Sequence, residues 1–287
     1  MAPDLKRVAA GSTHKTIYMP DIEQLRVPLP PVSEQRRIAD FLDVETARID
    51  RLLDMRKKQQ ECIKQRQLES VRELFEQSDA LPTRLKFLLR ARPRYGVLVP
   101  KFTDSGVKFI RVNDLLDLEG RASDLITISE ELSSQYPTTV VREGDILVSV
   151  VGTLGRAVVA PASVRGANVN RAIAILRPLP GVNRKLMAAW IGGPEFETQA
   201  LLATGTDSAQ RTLGMEDLSN FTLRWPQAEA EQQRMASAVS QLQDSMQELS
   251  DHLSRQTAVL AERRQALITA AVTGQFDVTT ASNGAPA

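Results

Sequence analysis

Two stretches of this chain, Val32 to Leu81 and Gln227 to Thr273, contain neither glycine nor proline. Runs of that length without a backbone breaker predict two nearly continuous helices. In the second, Met235, Val239, Leu242, Met246, Leu249, Leu253, Leu260 and Leu267 follow an alternating four-and-three spacing, interrupted only by Gln256 and Arg263. A seam of that kind predicts a coiled coil, in which the apolar stripe is buried against a partner helix. The first stretch carries Ile38, Leu42, Ile49, Leu52, Ile63, Val71 and Leu74 around a polar middle from Arg56 to Glu61. It is the poorer seam, yet long enough to be the partner. At about 1.5 Å per residue each rod would be roughly 65 Å long, close to two turns of B-form DNA. A globular segment between the helices lets the second return antiparallel along the first. Packing on separate parts of one large core is the alternative.

A duplication leads into both helices. Gly11-Ser12-Thr13, Pro20-Asp21-Ile22, Val27-Pro28-Leu29-Pro30 and Glu34-Gln35-Arg36-Arg37-Ile38-Ala39 reappear in order as Gly205-Thr206, Glu216-Asp217-Leu218, Leu223-Arg224-Trp225-Pro226 and Glu231-Gln232-Gln233-Arg234-Met235-Ala236. A single repeat separated by most of the chain is a long-period duplication and not a solenoid.

Composition excludes several classes. No run of about 18 apolar residues is present, which argues against a membrane partner. Met1 to Ala10 has no apolar signal core, and the single cysteine, Cys62, precludes an internal disulfide, so a cytoplasmic location is expected. The net charge of +1 conceals a local excess. Arg84, Lys86, Arg90, Arg92, Arg94, Lys101, Lys108 and Arg111 stand against one acid, Asp104. Clustered cations gain free energy by displacing counterions from phosphates, which suggests an anionic polymer. The plainer alternative is a solvated face balanced by Asp114, Asp117 and Glu119.

Between the helices the periodicity changes. Lys108 to Val112, Asp145 to Val151, Arg156 to Ala160 and Ala172 to Leu176 read as strands, and Asn183 to Ile191 and Glu195 to Leu202 as helices. The expected fold class is α+β, with one mixed, twisted sheet and a few helices. Gly152-Thr153-Leu154-Gly155 lacks the Lys-Ser/Thr of a phosphate loop and stands between two strands, so it reads as a hairpin turn. His14 and His252 are too few and too far apart for a His-rich metal site, and no pair of acids has a spacing that singles it out for proton transfer. Neither cofactor, metal nor catalytic residues are expected.

Taken together these pieces resemble the specificity subunit of Type I restriction-modification enzymes. The resemblance is carried by Tyr95-Gly96 with Pro100-Lys101, Phe109-Ile110-Arg111-Val112-Asn113-Asp114-Leu115, and Glu143-Gly144-Asp145-Ile146-Leu147-Val148-Ser149 with the turn after it. Asn168-Val169-Asn170-Arg171-Ala172, both passages ending in Glu-Gln, and Arg264 to Gly274 complete the set. The family implies a non-catalytic subunit in which target-recognition domains alternate with long helices that pair as an antiparallel spacer. It implies double-stranded DNA and methyltransferase subunits as partners, with a restriction and translocase subunit engaged indirectly. The expected layout is a tail of a first recognition domain over residues 1–31, a spacer helix over 32–80, a recognition domain over 81–227, a second spacer helix over 228–275 and a disordered end over 276–287. A single complete recognition domain implies a half subunit that forms a homodimer or is complemented by a second fragment. Expected phosphate contacts are Arg92, Arg94, Lys101 and Arg156. Expected base contacts are Asn168, Asn170, Arg171, Gln210 and Arg211, whose amides and guanidinium groups suit adenine and guanine.

Overall fold

A computed structural model describes residues 18–23, 29–77, 80–205 and 211–278. The fold is α+β. After a short helix α1 (Met19–Glu23) comes the long α2 (Val32–Glu76), and the chain closes with the equally long α7 (Glu229–Val272). Between them lie α3 (Glu130–Ser134), α4 (Arg184–Ile191), α5 (Pro194–Thr204), α6 (Met215–Asn220) and three small sheets.

The central sheet has the order β2-β9-β6-β7, built from β2 (Arg94–Tyr95), β6 (Ile146–Ser149), β7 (Ala157–Val159) and β9 (Ile173–Leu176), all antiparallel. A second sheet joins β3 (Phe102–Thr103), β5 (Thr127–Ile128), β4 (Val107–Ile110) and β8 (Asn168–Val169), with β4 and β8 parallel. The third pairs β1 (Pro82–Arg84) with β10 (Thr222–Arg224). Three sheets thus replace the single sheet expected. Strands of two or three residues account for the difference, because they are too short to show a period.

The continuous apolar sequences of β6 and β9 follow from burial on both faces. Ile146, Val148, Ala174 and Leu176 face a core with Trp190, Phe196 and Trp225, whereas Leu147, Ile173 and Ile175 face a second core with Ile110, Leu115 and Val169. Alternation survives as a choice between two cores instead of between core and water. Local signals set the element ends. The Asn183 side chain accepts from the Leu186 amide at 3.0 Å and caps α4, and Pro194 opens α5 at a position where its missing N–H is harmless. The strand expected through Val112 stops at Ile110, because Val112–Leu116 forms a 3-10 turn secured by the Arg111–Asp114 pair.

The chain divides into two compact units, one drawn from residues 1–60 with 251–287 and the other from residues 61–250. The division falls inside both long helices and not at their ends. Val71, Phe75, Met235, Ala236 and Val239 pack into the core that contains Trp190 and Trp225, so these helix turns belong to the sheet-bearing unit. In the other unit the helices run antiparallel. Phe41 stacks near Phe276 with ring centroids 5.6 Å apart, Asp50 pairs with Arg264 at 2.9 Å, and Gln60 donates to Ser254 at 3.1 Å, an ordering that only opposed directions produce. Ile49, Leu253 and Ala271 are buried there, and Leu260 and Leu267 are half-buried. In the sheet-bearing unit Leu242 and Met246 are half-buried, but Leu249 is 45% exposed. The stripe does not close at Leu249, where α2 has little to cover it with: residues 61–70 supply only Cys62, Ile63 and Leu68 as apolar side chains.

Candidate nucleic-acid interface

Four segments meet at one end of the central sheet. Val97 bridges Asn170, and Arg171 donates its amide to the Val97 carbonyl at 2.9 Å. The Val150 amide donates to Ala172 and the Leu213 amide to Val150, both at 2.8 Å, and Gly152 donates to Arg211 at 2.9 Å. Residues 94–101, 150–156, 170–172 and 211–213 are thereby knitted into one surface. Tyr95 locks it by donating its hydroxyl to the Leu213 carbonyl at 2.7 Å. Burial and the nearby charge of Asp217 push the Tyr95 pKa up, so the phenol stays protonated and remains a donor. Gly96 is required at the join, since a Cβ there would overlap the Val169 carbonyl. Sequence reasoning singled out neither role. Tyr95-Gly96 was legible only as part of the family pattern.

The expected contact residues divide by environment. Arg92 and Arg94 are exposed on either side of buried Pro93. Lys101 and Arg171 are exposed, and Arg211 is half-buried. Arg156 is half-buried, with its guanidinium 3.5 Å from the Val112 carbonyl and its amide on the Ser149 hydroxyl at 2.9 Å. Asn170 accepts the Ala172 amide at 2.8 Å, which spends its carbonyl oxygen on a local turn. Asn168 is misassigned as a base contact. It is fully buried on β8, where its carbonyl accepts the Ser133 hydroxyl at 2.6 Å, so its amide cannot reach a groove. Gln210 lies outside the described residues, as do most of the expected N-terminal tail and the end of the chain.

The basic cluster is also partly internal. Lys86 donates to Asn220 at 2.9 Å, Lys108 to the Ser163 carbonyl at 3.2 Å, and Arg111 pairs with Asp114 at 3.2 Å. Asp114 is 2% exposed and also receives Arg121 at 3.2 Å. Burial alone would raise its pKa, but hydrogen bonds from the Arg111 side chain and amide, the Arg111 charge and Arg121 together hold it below the ordinary 3.8. Lys101 and Arg171 are left as exposed cations of the joined segments, and Arg92 and Arg94 are exposed along the sheet edge that leads to them. Among the described residues no group of three His, Cys, Asp or Glu could hold a metal ion, and no helix is long and apolar enough to cross a membrane.

Residues 1–64 match the family model of the Type I restriction modification DNA specificity domain. The chain is 25% identical over 292 residues to the specificity subunit of the Type I restriction enzyme EcoBI from Escherichia coli, covering 92% of this chain and 61% of that one. Among solved structures it resembles a chain from a study of complex assembly and conformational transition in the type I R-M system, with a TM-score of 0.70 and 22% identity. It also resembles the HsdS subunit from Thermoanaerobacter tengcongensis, with a TM-score of 0.53 and 22% identity. Each structural match covers 96% of this chain and 68% of the other, and at this identity each speaks for the fold. Sequence and fold point the same way: the chain is similar to the EcoBI specificity subunit over most of its own length and spans about three fifths of that protein.

Proposed function

We propose that this chain is a non-catalytic DNA-recognition subunit of a Type I restriction-modification complex, which directs an adenine methyltransferase, and through it a restriction subunit, to a bipartite target. The observation that carries this reading is the convergence of four segments on one sheet end, with Lys101 and Arg171 exposed on those segments and Arg92 and Arg94 exposed along the sheet edge that leads to them. Arg92, Arg94 and Lys101 hold phosphates, and Arg171 and Arg211, together with Gln210 as the residue before Arg211 in sequence, read base edges in the major groove. Paired long helices serve as the coiled-coil spacer on which methyltransferase subunits dock. A second copy of the chain, or a second fragment, supplies the other recognition domain.

A second reading rests on the antiparallel pairing of the long helices, seen in Asp50 with Arg264 and Gln60 with Ser254. In it the helices occupy methyltransferase subunits without productive DNA recognition. Co-expression with the methyltransferase in a host lacking DNA methylation, followed by genome-wide mapping of methyladenine, separates the two. A two-part symmetric motif supports a dimeric recognition subunit, whereas a stable complex without methylation supports the decoy. Arg171→Ala should then relax preference at one position of the motif; equal weakening on all sequences would identify a phosphate contact instead.

A further inference from the structure

At the other end of the central sheet lies a cleft of about 120 Å³ whose walls carry Arg90, Arg142, Arg177 and Arg184 against Glu143 and Asp145. Arg177 is held within the fold, 3.2 Å from Asp145 and donating to the Val140 carbonyl at 2.7 Å. Arg90, Arg142 and Arg184 are exposed, which sets three guanidinium groups against the single remaining acid. Two local features mark the arrangement as built. Arg184 lies across Gly144, a glycine at φ +79°, where a Cβ would stand 2.7 Å from the Arg184 Nε. Helix α4 also opens with Arg184-Lys185 and no acid in its first turn. Cations at the positive end of a helix dipole destabilise it, and departures from local preference concentrate at functional sites.

The cleft is continuous with the candidate interface. The Arg90 amide donates to the Arg177 carbonyl at 2.8 Å, and from there the chain follows β9 along the sheet edge, through Arg92 and Arg94, to Val97 beside Arg171. Measured along β9 from Arg177 to Ile173, which accepts the Gly96 amide, the edge is four residues or roughly 13 Å at about 3.3 Å each, which at about 3.4 Å per base pair is about four base pairs of B-form DNA.

We propose that Arg90, Arg142 and Arg184 form a phosphate site, filled by a DNA-backbone phosphate several base pairs from the point that Arg171 contacts. Guanidinium forks suit the paired oxygens of a phosphodiester, and the edge strand supplies a continuous cationic approach. The inference rests on the DNA-recognition reading above and assigns to it three residues outside the converging loops.

The test is the salt dependence of binding of the full chain to a duplex of about 30 base pairs. Each phosphate contact contributes about 0.9 to the slope of log K against log salt. R90A/R142A/R184A should make the slope shallower by about 2 to 3, the single substitutions by about 0.9 each, and R165A, on an exposed loop elsewhere, should leave it unchanged. The single substitutions keep the test intact if the triple variant folds poorly. A steep wild-type slope that all these variants retain overturns the phosphate site alone. Wild-type binding without salt dependence overturns the DNA-recognition reading itself. Thermal protection by inorganic phosphate that disappears in R90A/R142A/R184A while the DNA slope is unchanged would assign the cleft to a free phosphate and overturn its assignment to DNA.

Discussion

Arg177 and Arg171, at opposite ends of the central sheet, are used in opposite ways. At the Asp145 end, Arg177 is mostly buried, paired with a carboxylate that is itself 5% exposed, and bonded to a backbone carbonyl. At the loop end, Arg171 is exposed and is tied in by its backbone amide, which donates to the Val97 carbonyl at 2.9 Å. A buried carboxylate without its cation is costly, so Arg177 is bound to the fold; an exposed guanidinium has water as its alternative and is available to a ligand. In the 3-10 turn after β4, the buried Asp114 engages Arg111 and Arg121, which themselves remain about half exposed. A basic cluster counted along the chain mixes both kinds.

Substitutions can break this contrast in order of expected effect. Arg177→Ala leaves Asp145 uncompensated and should lower stability by about 3 to 5 kcal/mol in urea unfolding; a loss below about 1 kcal/mol would place Arg177 with the ligand-facing arginines. Gly96→Ala forces Val169 away from the join and should cost about 1 to 3 kcal/mol, with a larger loss of DNA affinity than Arg165→Ala produces. Unchanged stability and affinity would show that the Tyr95 segment does not need this close approach.

Asp114 sharpens the comparison through pH. Its folded pKa lies below its ordinary 3.8, so its ion pairs stabilise the fold above about pH 4 and that contribution is lost as pH falls through the folded value. Asp114→Asn should therefore be less stable than the parent at pH 7, by about 1 kcal/mol given the exposure of both arginines, and should converge with it in acid. A gap that persists at pH 2 would mean that shape, and not charge, is what Asp114 supplies. The smallest stability effect is expected for Arg92→Ala and Arg94→Ala, within about 0.5 kcal/mol in thermal unfolding. Their effect should appear in DNA binding, as a shallower salt dependence.

Much of the fold was legible because burial leaves a periodic trace. The glycine- and proline-free runs became α2 and α7, and the apolar runs at Asp145 to Val151 and Ala172 to Leu176 contain β6 and β9. Strands of two residues such as β2 and β8 left no period to detect. The site was read less completely. Arg92, Arg94, Lys101 and Arg171 are exposed, whereas Asn168, expected to contact a base, is buried, and Asn170 is engaged in its own turn. Asparagine serves a turn, a strand or a ligand with the same side chain, and nothing local distinguishes the three.

What the sequence alone determined is the helical character of the two long segments, the strand-rich character of what lies between them and the excess of cations at its entrance, because each depends on residues near one another in the chain. Tertiary structure decided which cations face outward, where the helices pass from the sheet-bearing core to pairing with each other, and that residues 94–101, 150–156, 170–172 and 211–213 share one surface. These depend on carboxylates, carbonyls and apolar side chains brought together from far apart in sequence. Arg171 beside Val97 and Arg177 against Asp145 are fixed by strand pairing, and strand pairing is a property of the folded chain.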